Sequence, residues 1–210
     1  MAKIKTYRIL FGWISKLIRP VKVIGNKNLK DEKVIYCINH TSNWDFVVVL
    51  ESFNFSPVCV YKSEFREKAF YRKLFDGLGY VPVKRGEPDL NAIKTFISTL
   101  KSGKSILIAP EGTRNKNYDV GFLPFKEGAV SLAIKTRTPI IPIYIHHKRN
   151  KRNKIIGRTH IVVEDKLFFD DLYAQPITKE ALDIANQRLL DKFLIAKEIA
   201  DKARNKNNKK

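Results

Sequence analysis

At 210 residues the chain is long enough for one domain and too short for two ordinary ones. A hydrophobic fraction of 44% with 11% aromatics supports a packed core and excludes wholesale disorder. Forty Lys and Arg against 21 Asp and Glu leave a net charge of +19, which, unless it is only a solubilising bias, predicts a polyanionic partner: nucleic acid, an anionic lipid surface or an acidic carrier protein.

In chain order, the first predicted element is a helix over Tyr7–Ile18, with Leu10, Phe11, Trp13, Ile14, Leu17 and Ile18 on a wide apolar face and Arg8, Lys16 and Arg19 around it. Residues 1–20 are therefore expected to form a short amphipathic helix, lying either in the headgroup layer of a membrane or against the domain core. At 12 residues the apolar run is too short to cross a hydrocarbon layer that needs about 20. The N-terminus also lacks the small-residue cleavage site of a signal peptide.

Apolar β-rich runs then alternate with helical patterns. Strands are expected at Val21–Ile24, Val34–Asn39, Val58–Tyr61, Tyr80–Val83, Ser105–Ala109, Ile140–His146 and His160–Val163. Helices are expected at Trp44–Ser52, Ala69–Leu78, Leu90–Leu100, Ala129–Lys135 and Lys179–Lys202. Several strands are apolar throughout, the pattern of a sheet covered by helices on both faces. The expected fold is α/β, a single layered domain over 21–202 with a central, mostly parallel or mixed sheet flanked by helices, followed by a mobile basic tail at 203–210. Cys37 and Cys59 sit in apolar runs and read as small buried hydrophobes in a reducing compartment.

Two polar segments interrupt this apolar frame. Asn39-His40-Thr41-Ser42-Asn43-Trp44-Asp45 directly follows a buried strand and opens a helix, the place where α/β proteins put active sites. With His40 at the strand end and Asp45 in the first helical turn the two side chains can meet. Asp45 would then fix the imidazole tautomer and leave the other ring nitrogen to take a proton from a hydroxyl. Ser42-x-x-Asp45 equally fits a capping box, in which Asp45 satisfies the helix start. The second segment, Pro110-Glu111-Gly112-Thr113-Arg114, also ends a buried strand. There Gly112 permits close backbone approach, Thr113 offers a hydroxyl, Arg114 presents a fork matched to phosphate, and Glu111 can orient Arg114 or a substrate hydroxyl. His146 and His147 are adjacent on a strand, so they point to opposite faces; with no carboxylate nearby in sequence they are read as structural, and no metal site is expected. The run Lys148–Lys154 is a dense basic stretch suited to anionic headgroups, an acidic carrier protein or coenzyme A phosphates, unless it is only a solvated loop.

These segments resemble the lysophospholipid acyltransferases, especially the bacterial 1-acyl-glycerol-3-phosphate enzymes. His40 and Asp45 match the family's H-x4-D block, and Pro110–Arg114 match its P-E-G-T-R block. Leu123-Pro124-Phe125-Lys126-Glu127-Gly128 matches the usual sequel, Gly79–Arg85 a second block, and Thr138–Ile143 a proline-containing apolar strand. One departure is Lys84, which stands where many relatives carry Asp before the arginine and so removes a possible orienting carboxylate.

The resemblance implies acyl transfer from a thioester of acyl carrier protein or coenzyme A to the free hydroxyl of lysophosphatidate, with His40 as general base oriented by Asp45. It implies a phosphate site drawn from Lys84, Arg85, Glu111, Gly112, Thr113, Arg114 and Lys126. It requires no cofactor and no covalent acyl-enzyme. It places the protein peripherally on an anionic membrane surface, at the cytoplasmic face of the cell membrane. Another lysophospholipid or glycerol-3-phosphate is the alternative acceptor. A nucleic-acid module is the remote alternative, against which stands the absence of any RNP-like, zinc-finger or recognition-helix pattern.

Overall fold

The computed structural model describes residues 20–53, 55–83, 89–117, 121–152 and 154–207. The expected helix at Tyr7–Ile18 lies outside these residues, as do Lys84 and Arg85. Among the described residues seven strands form one sheet: β1 Val21–Gly25, β2 Ile35–Ile38, β3 Val58–Lys62, β4 Val81–Val83, β5 Ile106–Ile108, β6 Ile140–Arg149 and β7 Ile155–Val163. Their order across the sheet is β1-β7-β6-β2-β5-β3-β4. Every pairing is parallel except β6 with β7, which is antiparallel. The helices are α1 Asp45–Ser52, α2 Ala69–Gly77, α3 Leu90–Lys101, α4 Gly128–Thr136 and α5 Lys179–Asn207, with a 3-10 turn at Ser63–Glu67.

The mostly parallel α/β layering expected from the sequence is what folds. In β2 all four residues, Ile35-Tyr36-Cys37-Ile38, are fully buried. Its side chains alternate between two cores, as the pleat requires. Ile35 and Cys37 enter one with Phe96 of α3, Val130 of α4 and Phe193 of α5. Tyr36 and Ile38 enter the other with Val48 and Val49 of α1 and with Phe53 and Phe55. Helices therefore cover both faces of the central strand, which explains its uninterrupted apolar character.

Most boundaries fall within one residue of expectation, and three differ by more. β6 and β7 run further toward each other than their apolar stretches suggest and form a long hairpin, with a register irregularity between His147 and Arg149. The basic run consequently straddles the end of β6 and the hairpin turn instead of forming a free loop. Helix α5 continues to Asn207, five residues beyond the expected Lys202, so the segment after Ala203 begins as helix. Ala200 is fully buried, and beyond it Arg204 Nη1 lies 3.4 Å from His146 Nε2, giving the last turns a tertiary anchor.

Because β2, β3 and β5 are parallel, the segments that follow them leave the sheet at one edge. That edge carries the turn 39–45, the 3-10 turn 63–67 and the turn 109–115.

Candidate active site

His40 stands two residues past the end of β2, and Asp45 is the first residue of α1. His40 Nδ1 lies 3.0 Å from Asp45 Oδ2. The same oxygen accepts the backbone N–H of Thr41 at 2.6 Å and of Ser42 at 2.7 Å. Half of the capping box is thus present, since Asp45 receives the Ser42 N–H. Ser42 Oγ reaches the Trp44 N–H at 3.2 Å. The two sequence readings of Asp45 coincide in one carboxylate that starts the helix and holds the histidine. Asp45 is completely buried. Burial opposes its ionisation, but the hydrogen bonds of His147 and His40, the attraction of His147 and the Ser42 N–H outweigh it and hold the carboxyl below the ordinary aspartate value.

His40 is 9% exposed and is braced from several sides. Its N–H donates to Glu111 Oε1 at 2.9 Å, and its carbonyl accepts the Asn115 N–H at 2.7 Å. The edge of the ring meets Phe46 with centroids 5.5 Å apart. With Nδ1 turned to Asp45, Nε2 is the nitrogen left to face a substrate, and no hydrogen bond occupies it among the described residues.

The turn after β5 is the other half of the site. Glu111 is 2% exposed, and both its oxygens serve backbone groups: Oε1 takes the His40 N–H and Oε2 the Leu123 N–H at 3.0 Å. Burial raises the Glu111 pKa, while the His40 and Leu123 N–H groups and His40 itself pull it down in part. The sequence suggests that Glu111 orients Arg114 or a substrate hydroxyl. The structure gives it a different use, tying the His40 turn to the segment at 123. Arg114 instead donates from Nη1 to Asn43 Oδ1 at 2.9 Å, which brings its guanidinium to the mouth of the His40 turn. Gly112 has φ +66°, and a Cβ there would lie 2.9 Å from Lys126 Cδ. Glycine therefore lets the Lys126 side chain cross the turn. Lys126 N–H also donates to Pro110 O at 2.8 Å, and Thr113 is exposed beside it.

The fold thus unites His40, Asp45, Glu111, Gly112, Thr113, Arg114 and Lys126 at one sheet edge. Three residues were given no role in the site from sequence. Asn39 pairs both its amide groups with the Ile145 backbone, accepting its N–H at 2.6 Å and donating to its carbonyl at 3.0 Å. This prolongs the β2–β6 pairing by a side chain just where the His40 turn departs. Asn115, 3% exposed, closes the other side through the His40 carbonyl. The third is His147, whose Nε2 lies 2.6 Å from Asp45 Oδ1. The expectation that neither histidine of the pair has a carboxylate partner is overturned. Their opposite orientation holds, and each side supplies an acid from far away in sequence: Asp45 for His147, and Asp201 for His146 at 3.8 Å. The reading of His146 as structural agrees with its burial and the nearby Arg204, which hold its pKa down at about 4.

A polar cavity of about 320 Å³ opens behind the His40 turn, with Thr41, Glu111, Phe122, His147, Arg149 and Arg204 among its walls. Arg149 Nη2 donates to the Thr41 carbonyl at 3.0 Å, adding another brace to the turn. Among the described residues no group of three or more His, Cys, Asp or Glu side chains is arranged to hold a metal ion. Both cysteines are buried thiols whose pKa burial pushes up, which makes them poor nucleophiles. No helix among the described residues is long and apolar enough to cross a membrane.

The sequence model of the Acyltransferase family matches residues 20–146. A protein of Mycoplasma genitalium described as a probable 1-acyl-sn-glycerol-3-phosphate acyltransferase is 29% identical over 197 residues, 87% of this chain and 71% of that protein. The 1-acyl-sn-glycerol-3-phosphate acyltransferase of Salmonella typhimurium is 30% identical over 156 residues, covering 71% of this chain and 62% of the relative. The chain spans only 39% of the chloroplastic enzyme BAT2 of Brassica napus, at 33% identity. Among solved structures, the 1-acyl-sn-glycerophosphate (LPA) acyltransferase PlsC of Thermotoga maritima superposes with a TM-score of 0.66 and 22% identity over 94% of this chain and 78% of that one, a likeness of fold.

Proposed function

The chain belongs to the acyltransferase family, and on that premise we propose that it moves a fatty acyl group from an acyl thioester to the free hydroxyl of 1-acyl-glycerol-3-phosphate, making phosphatidate. The observation that carries the reading is the pair His40 Nδ1–Asp45 Oδ2 at 3.0 Å, with Nε2 directed elsewhere. In the proposed reaction Nε2 takes the proton of the acceptor hydroxyl as the oxygen attacks the thioester carbonyl. The C–S bond then breaks, the thiolate leaves, and the proton on His40 passes to the sulfur. General-base assistance supplies roughly 10²–10⁴-fold, so positioning and stabilisation of the oxyanion supply the rest.

Arg114 and Lys126 are cations on the same edge as His40 and are assigned the acceptor phosphate, with Lys84 and Arg85 as further candidates. Arg114 offers bidentate donors, Lys126 a point charge. The donor is assigned to the class of acyl thioesters, carried either by acyl carrier protein or by coenzyme A. Both bring phosphate to a surface with +19 net charge.

The lipid partner is assigned to an anionic membrane surface. Supporting this is the segment after β3, where Lys62, Arg66, Lys68, Arg72 and Lys73 surround the exposed rings of Phe65 and Phe70, at 42% and 67% exposure. Amphipathic segments of this composition lie well in a headgroup layer.

The deciding experiment offers purified protein an acyl thioester with lysophosphatidate, lysophosphatidylcholine or glycerol-3-phosphate in parallel. Lysophosphatidate should give the highest kcat/KM by at least about tenfold, since only it presents both an unsubstituted phosphate monoester and an acyl chain: choline masks the phosphate of lysophosphatidylcholine, and glycerol-3-phosphate has no chain. Equal use of the three acceptors would refute the acceptor assignment and leave the acyl transfer intact.

A further inference from the structure

We infer that His147 is a positioning residue for acyl transfer: by bonding Asp45 Oδ1 it stops the carboxylate from turning and keeps Oδ2 on His40. The inference rests on the proposed role of His40 as the base.

Asp45 receives donors on both oxygens, and the two sets come from different parts of the fold. Oδ2 is held by His40 Nδ1 and by the N–H groups of Thr41 and Ser42, all within the same turn. Oδ1 is held by His147 Nε2 from β6. The terminal torsion of an aspartate is broad. With only the local donors the carboxylate can rock together with its own turn, and the imidazole follows it. A donor mounted on a sheet strand gives the carboxylate an external reference.

His147 is itself immobilised. Its side chain is 1% exposed, and it stands opposite Thr159 in the β6–β7 ladder, with Nδ1 3.0 Å from Thr159 Oγ1. Thr159 is fully buried, and its N–H donates to Pro20 O at 2.9 Å.

Donor and acceptor complementarity assigns the protons along this line. The ionised Asp45 accepts only, so His147 presents Nε2–H and His40 presents Nδ1–H. His147 Nδ1 then accepts from the Thr159 hydroxyl, and His40 Nε2 keeps its lone pair for the substrate. The other charged groups around His40 are Glu111, which engages its backbone, and Arg149 and Arg114, which engage Thr41 and Asn43 on either side. His146 is the internal contrast: one residue earlier on the strand, it meets Asp201 and Arg204 at 3.8 and 3.4 Å and does not touch the catalytic pair.

The test compares wild type with His147→Ala, His147→Gln and Thr159→Val. Glutamine keeps an N–H at the reach of Nε2. In His147→Ala, kcat should fall about 10–100-fold, as when an outer hydrogen-bond partner of an active group is removed. The acceptor KM should stay within about twofold, because no substrate contact is lost. His147→Gln should recover most of the loss. Thr159→Val, which frees Nδ1 without opening a cavity, should lose severalfold.

In parallel, ¹⁵N NMR of the His40 ring needs no substrate, so it remains decisive even where the acceptor assignment fails. Wild type and His147→Gln should show the Nδ1–H tautomer, and His147→Ala a mixture. A kcat within about twofold of wild type and an unchanged tautomer in His147→Ala would overturn the inference. So would a loss of kcat that glutamine does not restore with the tautomer intact, since that pattern marks a purely structural residue. If His147→Ala fails to fold, as circular dichroism reports, the same readouts on His147→Gln and Thr159→Val decide: the graded loss in Thr159→Val supports the inference, and wild-type kcat in that variant refutes it.

Discussion

The turn after β2 and the segment after β3 leave the sheet at the same edge and are built in opposite ways. In the first, Asn39, His40, Ser42 and Asp45 are all buried, and each is held by hydrogen bonds. In the second, neither the 3-10 turn Ser63–Glu67 nor helix α2 buries a single side chain. Its rings pack instead on one another at the surface, with Phe65, Tyr71 and Phe75 at centroid separations of 5.3–6.2 Å. Under the proposed function the difference separates two tasks. A base that must take a proton in a fixed direction is completed inside the protein, because a misoriented base loses rate steeply. A segment proposed to meet a fluid lipid surface is left open, to be completed by what it binds.

The sharpest way to break this comparison is His40→Ala. Under the proposed mechanism kcat should fall by roughly 10²–10⁴-fold, with the acceptor KM little changed. Steady-state kinetics on the purified variant checks this, and most of the activity surviving would remove His40 from the chemistry.

Asp45→Asn tests the same turn through stability. The folded Asp45 carboxyl sits below its ordinary value. Its contribution is therefore present above about pH 4, the unfolded aspartate range, and is lost as pH falls through the folded value. The stability difference between wild type and Asp45→Asn, from urea denaturation at several pH values, should be largest near neutrality and shrink as the pH drops below about 4. Glu111 runs the other way: its raised pKa favours the protonated form and contributes stability that fades as pH rises through the folded value. The pH dependence must therefore be read from the difference between the two proteins and not from the wild-type curve alone; the difference removes the part of the Glu111 contribution that comes from burial and keeps only the part that Asp45 itself causes.

How much of this was legible in the sequence follows from distance along the chain. His40 and Asp45 are five residues apart, and a strand end followed by a helix start brings them together, so local pattern sufficed. The pairings of Arg114 with Asn43 and of Glu111 with the His40 N–H were not read from the sequence, which offered Glu111 to Arg114 or a substrate hydroxyl; they arise because two strand ends share an edge. His147 lies 102 residues from Asp45, and its contact depends on β6 lying next to β2 and on β6 running past the end of its neighbour. No apolar periodicity encodes that overhang, because His146-His147-Lys148-Arg149 is polar and reads as the end of a strand. The open helix α2 was legible as a helix. Its incomplete burial was not, since Phe70, Tyr71, Leu74 and Phe75 at helical spacing look the same whether a core or a lipid covers them, and in the fold the last three are only half-buried while Phe70 is exposed.

That ambiguity sets the last and smallest of the expected effects on turnover. Replacing Lys68 and Arg72 by Ala, or Phe65 and Phe70 by Ser, should leave acyl transfer to a short-chain, freely soluble lysophosphatidate near the wild-type rate, because none of the four touches the His40 turn. Binding to vesicles containing anionic lipid should weaken. Each cation near such a surface is worth about 1 kcal/mol, so the double alanine variant, losing two, should bind roughly thirtyfold less tightly in a sedimentation assay. The loss should shrink at high salt, as surface electrostatics are screened. The serine variant should lose affinity for anionic and neutral vesicles alike, since it removes insertion and leaves the charge. If the alanine variant binds anionic vesicles as well as wild type does, the lipid-facing surface lies elsewhere. The two regions would then differ in burial alone, and the division of labour between them would have to be abandoned.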